Sequence, residues 1–197
     1  MGAGDVTRLL GAVRAGDREA LDALLPHVYE ELRGIARAQV RRAGSDPTLQ
    51  PTMVVHEAYM KLARSSAVPA VDRSHFLSIA AAAMRQVLVD HARAMLSRKR
   101  GGGWKQTLLT AGSQTYELQP EDVIALDRAL EGLDERQRRI VECRYFAGME
   151  EQEIAEVLGV SDRTVRREWV KARAWLYAAL YGTAEGDTDG SGLPPDG

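Results

Sequence analysis

The sequence predicts an all-α protein built as two small helical domains, and three observations carry that expectation. Apolar residues recur every three or four positions along most of the 197 residues, the spacing that gathers side chains on one face of a helix. No apolar-polar alternation of useful length points to a strand. Near the C-terminus, the run from Glu153 to Arg167 spells a helix, a tight turn and a basic second helix.

From the N-terminus, Val6, Leu9, Leu10 and Val13 form a first apolar stripe ended by Gly16. Asp17 is placed to cap a second helix carrying Leu21, Leu24, Leu25, Val28, Leu32, Ile35 and Ala36, which Pro26 is expected to kink or break. After a loop at Ala43 to Pro47, Pro51 opens a helix through Val54, Val55, Ala58, Tyr59 and Leu62. Ser74 is expected to cap the longest helix, from His75 to about Ser97, whose stripe is Phe76, Ile79, Ala80, Ala83 and Val87. Residues 101 to 119 are rich in Gly, Thr, Ser and Gln and read as a flexible linker. Beyond it, Pro120-Glu121-Asp122 starts a helix through Leu126 and Leu130, and Asp134 caps one running through Ile140 and Val141 to Gly148. The tail has almost nothing apolar and is expected to be disordered. The expected layout is therefore a domain over 1–99, a linker over 100–119, a domain over 120–182 and a tail over 183–197.

The C-terminal run is a helix-turn-helix by chemistry as well as by pattern. Gly159 stands where the first helix must end with positive φ, Ser161 can cap the next, and Ala155 lets the two helices touch. Ile154, Leu158, Val160 and Val165 supply a shared core. On the second helix the stripe Val165, Trp169, Ala172, Leu176 lies opposite Arg163 and Arg167, with Arg166 and Lys171 on the flanks. Basic side chains so placed can reach phosphates and guanine edges. A helical hairpin with a solvated charged face is the plainer reading of this stretch alone.

Composition narrows the rest. One cysteine, Cys143, excludes an intramolecular disulfide framework and reads as a small core residue. His27, His56, His75 and His91 have no metal-ligand spacing, so no metal or cofactor is expected. A signal segment and an apolar run of about 18 residues are both missing, and a soluble cytoplasmic protein is expected. The formal charge is −2, with 15 basic against 10 acidic residues over 1–100 and 11 against 18 over 101–197. A helix-turn-helix in an acidic half neutralises few phosphates and should hold DNA weakly unaided. That points to a subunit, monomeric when free, that another component brings to DNA.

These features resemble the bacterial sigma factors of the extracytoplasmic-function (ECF) type over nearly the whole chain. Asp134 to Met149, continued by Glu153-Ile154-Ala155 and Thr164-Val165, is similar to sigma region 4. Val54 to Leu62 is similar to the region 2.2 helix, which in the family docks on the clamp helices of the polymerase β′ subunit, with His56 where Gln is usual. The segment His75 to Arg93 resembles regions 2.3 and 2.4, which in the family melt and read the minus 10 element. Taking Asp90 and Arg93 as anchors, Gln86 occupies the usual Asn position and Phe76 stands in for a Trp. Leu49-Gln50-Pro51-Thr52, Val89 to Arg93, Lys99 to Gly103 and Ala172 to Leu176 further resemble the ECF-like branch common in planctomycetes.

The resemblance implies a transcription-initiation factor and not an enzyme. Its implied partners are core RNA polymerase (the β′ clamp helices and the β flap), promoter DNA, and an anti-sigma factor or other regulator. Implied polymerase-binding residues are His56, Glu57, Tyr59 and Lys61. Ser161, Arg163, Thr164, Arg166, Arg167 and Lys171 would meet the minus 35 element, and Phe76, Gln86, Asp90, Arg93, Arg98, Lys99 and Arg100 the minus 10 region. Each has a structural alternative: Arg98, Lys99 and Arg100 complement a helix C-terminus, Tyr59 can pack, and Glu57 can be a solvated charge. Three rival readings remain at this point, one of them an interaction protein that caps polymerase without reading promoters. A free-standing helix-turn-helix regulator would need a ligand pocket or dimer seam in residues 1–99; an enzyme would have to use Asp90, His91 and Cys143, which no motif brings together.

Overall fold

A computed structural model describes residues 3–44, 49–65, 68–100 and 119–182. The described residues contain no strand. They form α1 (Ala3–Arg14), α2 (Arg18–Arg42), α3 (Pro51–Arg64), α4 (Arg73–Arg100), α5 (Pro120–Glu131), α6 (Glu135–Val141), a π-helical turn (Glu142–Phe146), α7 (Glu151–Leu158) and α8 (Asp162–Tyr181). Residues 101–118 of the expected linker, the tail at 183–197, and the side chains of Lys99 and Arg100 lie outside the described residues, while the backbone of Arg100 ends α4.

In the N-terminal half, α1 ends at a Gly16 with φ of 91°, and the Asp17 carboxylate accepts from the Ala20 N–H at 3.1 Å. Pro26 does not break α2, which runs on for 25 residues. Leu24, Val28 and Leu32 are almost wholly buried on either side of it, and packing of that stripe outweighs one missing backbone hydrogen bond. Pro51 is the first residue of α3. The cap of α4 is not Ser74 but Asp72, whose carboxylate accepts from the His75 N–H at 2.7 Å and starts the helix at Arg73. Phe76, Ala80, Met84 and Val87 of α4 then close a core with Leu10, Leu24, Val28 and Val54.

The C-terminal half departs from the pattern at one place. Asp134 caps α6, accepting from the Gln137 N–H at 2.8 Å, but the helix expected to reach Gly148 widens after Val141. The Ala147 N–H donates to the Glu142 carbonyl at 3.0 Å, a five-residue step. That extra residue turns both Cys143 and Phe146 inward. Gly148, with φ of 73°, ends the turn.

The two halves pack against each other. Ala81 of α4 and Ile35 of α2 share an apolar cluster with Leu130, Leu133, Val141, Phe146 and Ala172. Gln39, 2% exposed, donates to the carbonyls of Ala81 at 3.0 Å and Phe146 at 3.2 Å. Arg42 donates to the Tyr145 carbonyl, with its guanidinium 4.7 Å above the Tyr145 ring.

Candidate nucleic-acid interface

The turn between α7 and α8 has the conformation its residues dictate. Gly159 sits at φ 64°, ψ 37°, the left-handed region a side chain disfavours, and the Val160 N–H returns to the Ala155 carbonyl at 3.0 Å. Ile154 and Val165 are fully buried against each other's helix and Ala155 is 5% exposed. The Ser161 hydroxyl caps α8, accepting from the Thr164 N–H at 3.3 Å, and lies 3.0 Å from the Thr164 hydroxyl. Both hydroxyls assigned to DNA from sequence are thus engaged in starting the helix.

Arg163, Arg166, Arg167 and Lys171 are all exposed on α8, and they differ in what they touch. Arg166 is paired with Glu151 of α7. Arg167 Nε donates to Glu168 Oε1 at 2.9 Å, and Lys171 Nζ to the same oxygen at 3.2 Å. Arg163 has no ion-pair partner among the described residues. Glu168 is not a solvated helix charge: it is 6% exposed, and its second oxygen accepts from Gln137 Nε2 of α6 at 3.2 Å. Hydrogen bonds from Gln137 and Arg167, helped by Lys171, outweigh burial and hold its carboxyl down at about 2.

On α4 the structure corrects one assignment and constrains others. Phe76 is 2% exposed within the core of the N-terminal half, where the first apolar turn of α4 must be buried, so it offers no face to a base. Asp127 of α5, 4% exposed, accepts from Arg85, from Gln86 at 3.2 Å and from Arg93 at 3.2 Å. Arg85 also bonds Glu142 of the π turn at 3.0 Å. Asp90 pairs with Lys61 of α3 at 2.6 Å, while Arg98 is exposed farther along α4. His75 meets Arg139 of α6 at 3.1 Å; burial first, and then that guanidinium, lower its pKa.

On α3, His56, Glu57 and Lys61 are exposed, while Tyr59 is half-buried with its hydroxyl donating to Asp22. The residues tempting for an enzyme stay apart. Asp90 is at the surface of α4, whereas Cys143 is buried beneath α7 and α8, its thiol pushed up to about 11 by burial. Among the described residues no group of three or more His, Cys, Asp and Glu could hold a metal ion. No helix among them is long and apolar enough to cross a membrane. The cavity among Leu21, Leu32, Phe76 and Met84 is about 10 Å³, too small for a small-molecule effector.

Sequence pattern alone missed Arg85, Asp127, Glu142, Glu151 and Glu168. A signal exists for three of them: Arg85, Asp127 and Glu168 interrupt apolar faces, between Met84 and Leu88, Ile124 and Leu130, and Val165 and Ala172. A charge in such a stripe is buried, and therefore paired.

The ECF sigma factor family model matches residues 3–182. Among solved structures, the one titled "Structure of CnrH in complex with the cytosolic domain of CnrY" is similar at 20% identity, covering 91% of this chain and 99% of that chain with a TM-score of 0.39. No curated protein matches the chain significantly.

Proposed function

The chain belongs to the ECF sigma factor family, whose role is transcription initiation, and from that premise we propose a division of labour among its helices. Helix α8 reads the minus 35 element in the major groove. The observation that carries this is the α7–Gly159–α8 geometry, with Arg163, Arg166, Arg167 and Lys171 exposed on the second helix. Helix α3 contacts core polymerase through the exposed His56, Glu57 and Lys61. Tyr59 supports that surface through Asp22 and presents only part of its ring.

Helix α4 meets the minus 10 region through Gln86, Asp90, Arg93 and Arg98, a polar and cationic track suited to single-stranded DNA. In the structure Gln86 and Arg93 are bonded to Asp127, so this face meets DNA only after α5 withdraws. Separation of the halves is therefore part of the proposed function. The acidic balance of residues 101–197 supports delivery to DNA by polymerase rather than independent binding.

The test is to add the purified chain to sigma-free core polymerase with genomic fragments and to map transcript starts. Specific starts that disappear in a folded Arg163, Arg166, Arg167 triple alanine variant support the reading. Full initiation by that variant from the same minus 35-dependent promoters rejects α8 as the reader. Tight operator binding without polymerase, and no directed starts, would favour a free-standing regulator.

A further inference from the structure

Glu168 is a buried acid in the middle of the helix that faces DNA, where a negative charge opposes phosphate binding. Its two oxygens have different tasks. One ties α8 to Gln137 of α6, and the other accepts from Arg167 Nε and Lys171 Nζ at the exposed surface. The carboxylate, 6% exposed and held in place by the packing of α8, thus spends one oxygen on α6 and presents the other to two exposed cations.

The consequence for Arg167 follows from the shape of guanidinium. Of its five N–H groups, the Nε donor is used by Glu168, which leaves the four on the terminal nitrogens. Two of these, presented end-on, match the O6 and N7 acceptors of guanine in the major groove. A free arginine would instead swivel toward whichever phosphate lay nearest. Glu168 restrains that motion and offsets part of the charge of Arg167 and Lys171, so sequence-independent attraction falls while the base-reading edge stays available.

We propose that Glu168 is a specificity-determining positioning residue of the recognition helix, which holds Arg167 end-on for a guanine and suppresses phosphate-only binding by Arg167 and Lys171. The proposal rests on α8 being the DNA reader. It assigns a part to the one buried acidic side chain of α8, whose like would otherwise only weaken binding.

The experiment uses the full chain assembled with core polymerase and two probes: sheared mixed-sequence duplex, titrated over a salt series, and a promoter-length duplex library randomised over 20 base pairs, sequenced after selection. E168Q keeps the shape and removes the charge. Its affinity for mixed-sequence duplex should rise about fivefold at low salt, and its salt dependence should steepen by about one to two phosphate equivalents as Arg167 and Lys171 are released. The guanine preference at the position that Arg167→Ala erases should weaken in parallel. E168D, which keeps the charge on a shorter arm, should retain the wild-type salt dependence with an altered guanine preference.

Q137A separates positioning from mere support, because it cuts the tie to α6 and leaves the bond to Arg167. It should lower thermal stability without changing which sequences are selected. A folded E168Q with the wild-type salt slope and the wild-type selected sequence overturns the role of Glu168, as does a Q137A that shifts selection in the same way as E168Q. A wild-type chain that, assembled with core polymerase, selects no sequence over the randomised positions rejects α8 as a reader, and the proposal falls with it.

Discussion

Arg93 of α4 places its Nη2 3.2 Å from Oδ2 of Asp127 on α5, so a residue of the N-terminal half is held by a buried carboxylate of the C-terminal half. Arg85 and Gln86 bond the other oxygen of the same carboxylate. Three side chains of one helix therefore converge on one acid that sequence pattern had placed in a separate domain.

Asp127→Ala leaves Arg85, 9% exposed, with Glu142 as its remaining partner. Removing one member of a buried pair is costly, and unfolding in urea should show a loss of about 3 kcal/mol. Hydrogen exchange of the full chain should show faster exchange in α4 between Arg85 and Arg93. Unchanged stability and unchanged protection would mean that the carboxylate does not hold the halves together.

Among the arginines of α8, the helix proposed to read DNA, Arg163 combines a position at the N-terminal end with no ion-pair partner among the described residues. Arg163→Ala should reduce holoenzyme binding at a matched promoter by about 1 to 3 kcal/mol and relax one base position. Arg166→Ala should cost less, because Glu151 already offsets part of its charge. Competition binding with single-base promoter variants reads both, and a larger loss for Arg166 would reverse the order.

Gly159→Ala tests the turn itself. A Cβ there meets nothing within 4 Å, so the whole penalty comes from the backbone at φ 64°. A loss of about 1 to 2 kcal/mol in thermal or urea unfolding is expected, and Gly159→Asn should lose less because Asn tolerates this region.

His75 predicts a pH dependence. Its pKa is lowered in the folded chain, by burial and then by Arg139, so below the ordinary value of 6.5 the unfolded chain binds the proton more readily. Its contribution is level above pH 6.5, and stability should fall as pH drops below it. His75→Gln should flatten that part of the profile measured by urea unfolding at pH 5 to 8. An unaltered slope would place the titrating group elsewhere.

The helices and the kind of surface they expose are legible in the residues themselves. Periodic apolar residues such as Leu24, Val28 and Val165, the caps Asp17, Asp134 and Ser161, and the turn glycine Gly159 each act within a few residues, so their effect is readable from spacing. Pro26 does not break α2, Ser74 yields the cap of α4 to Asp72, and Phe76 is buried, because long-range packing of α2 and α4 decides whether a local signal prevails. Packing of distant segments brings Asp127 to Arg85, Gln86 and Arg93, sets Gln39 between Ala81 and Phe146, and buries Glu168 against Gln137. Those partners lie 31 to 107 residues apart, and a charge placed beside an apolar stripe reveals that it must be paired without revealing with what.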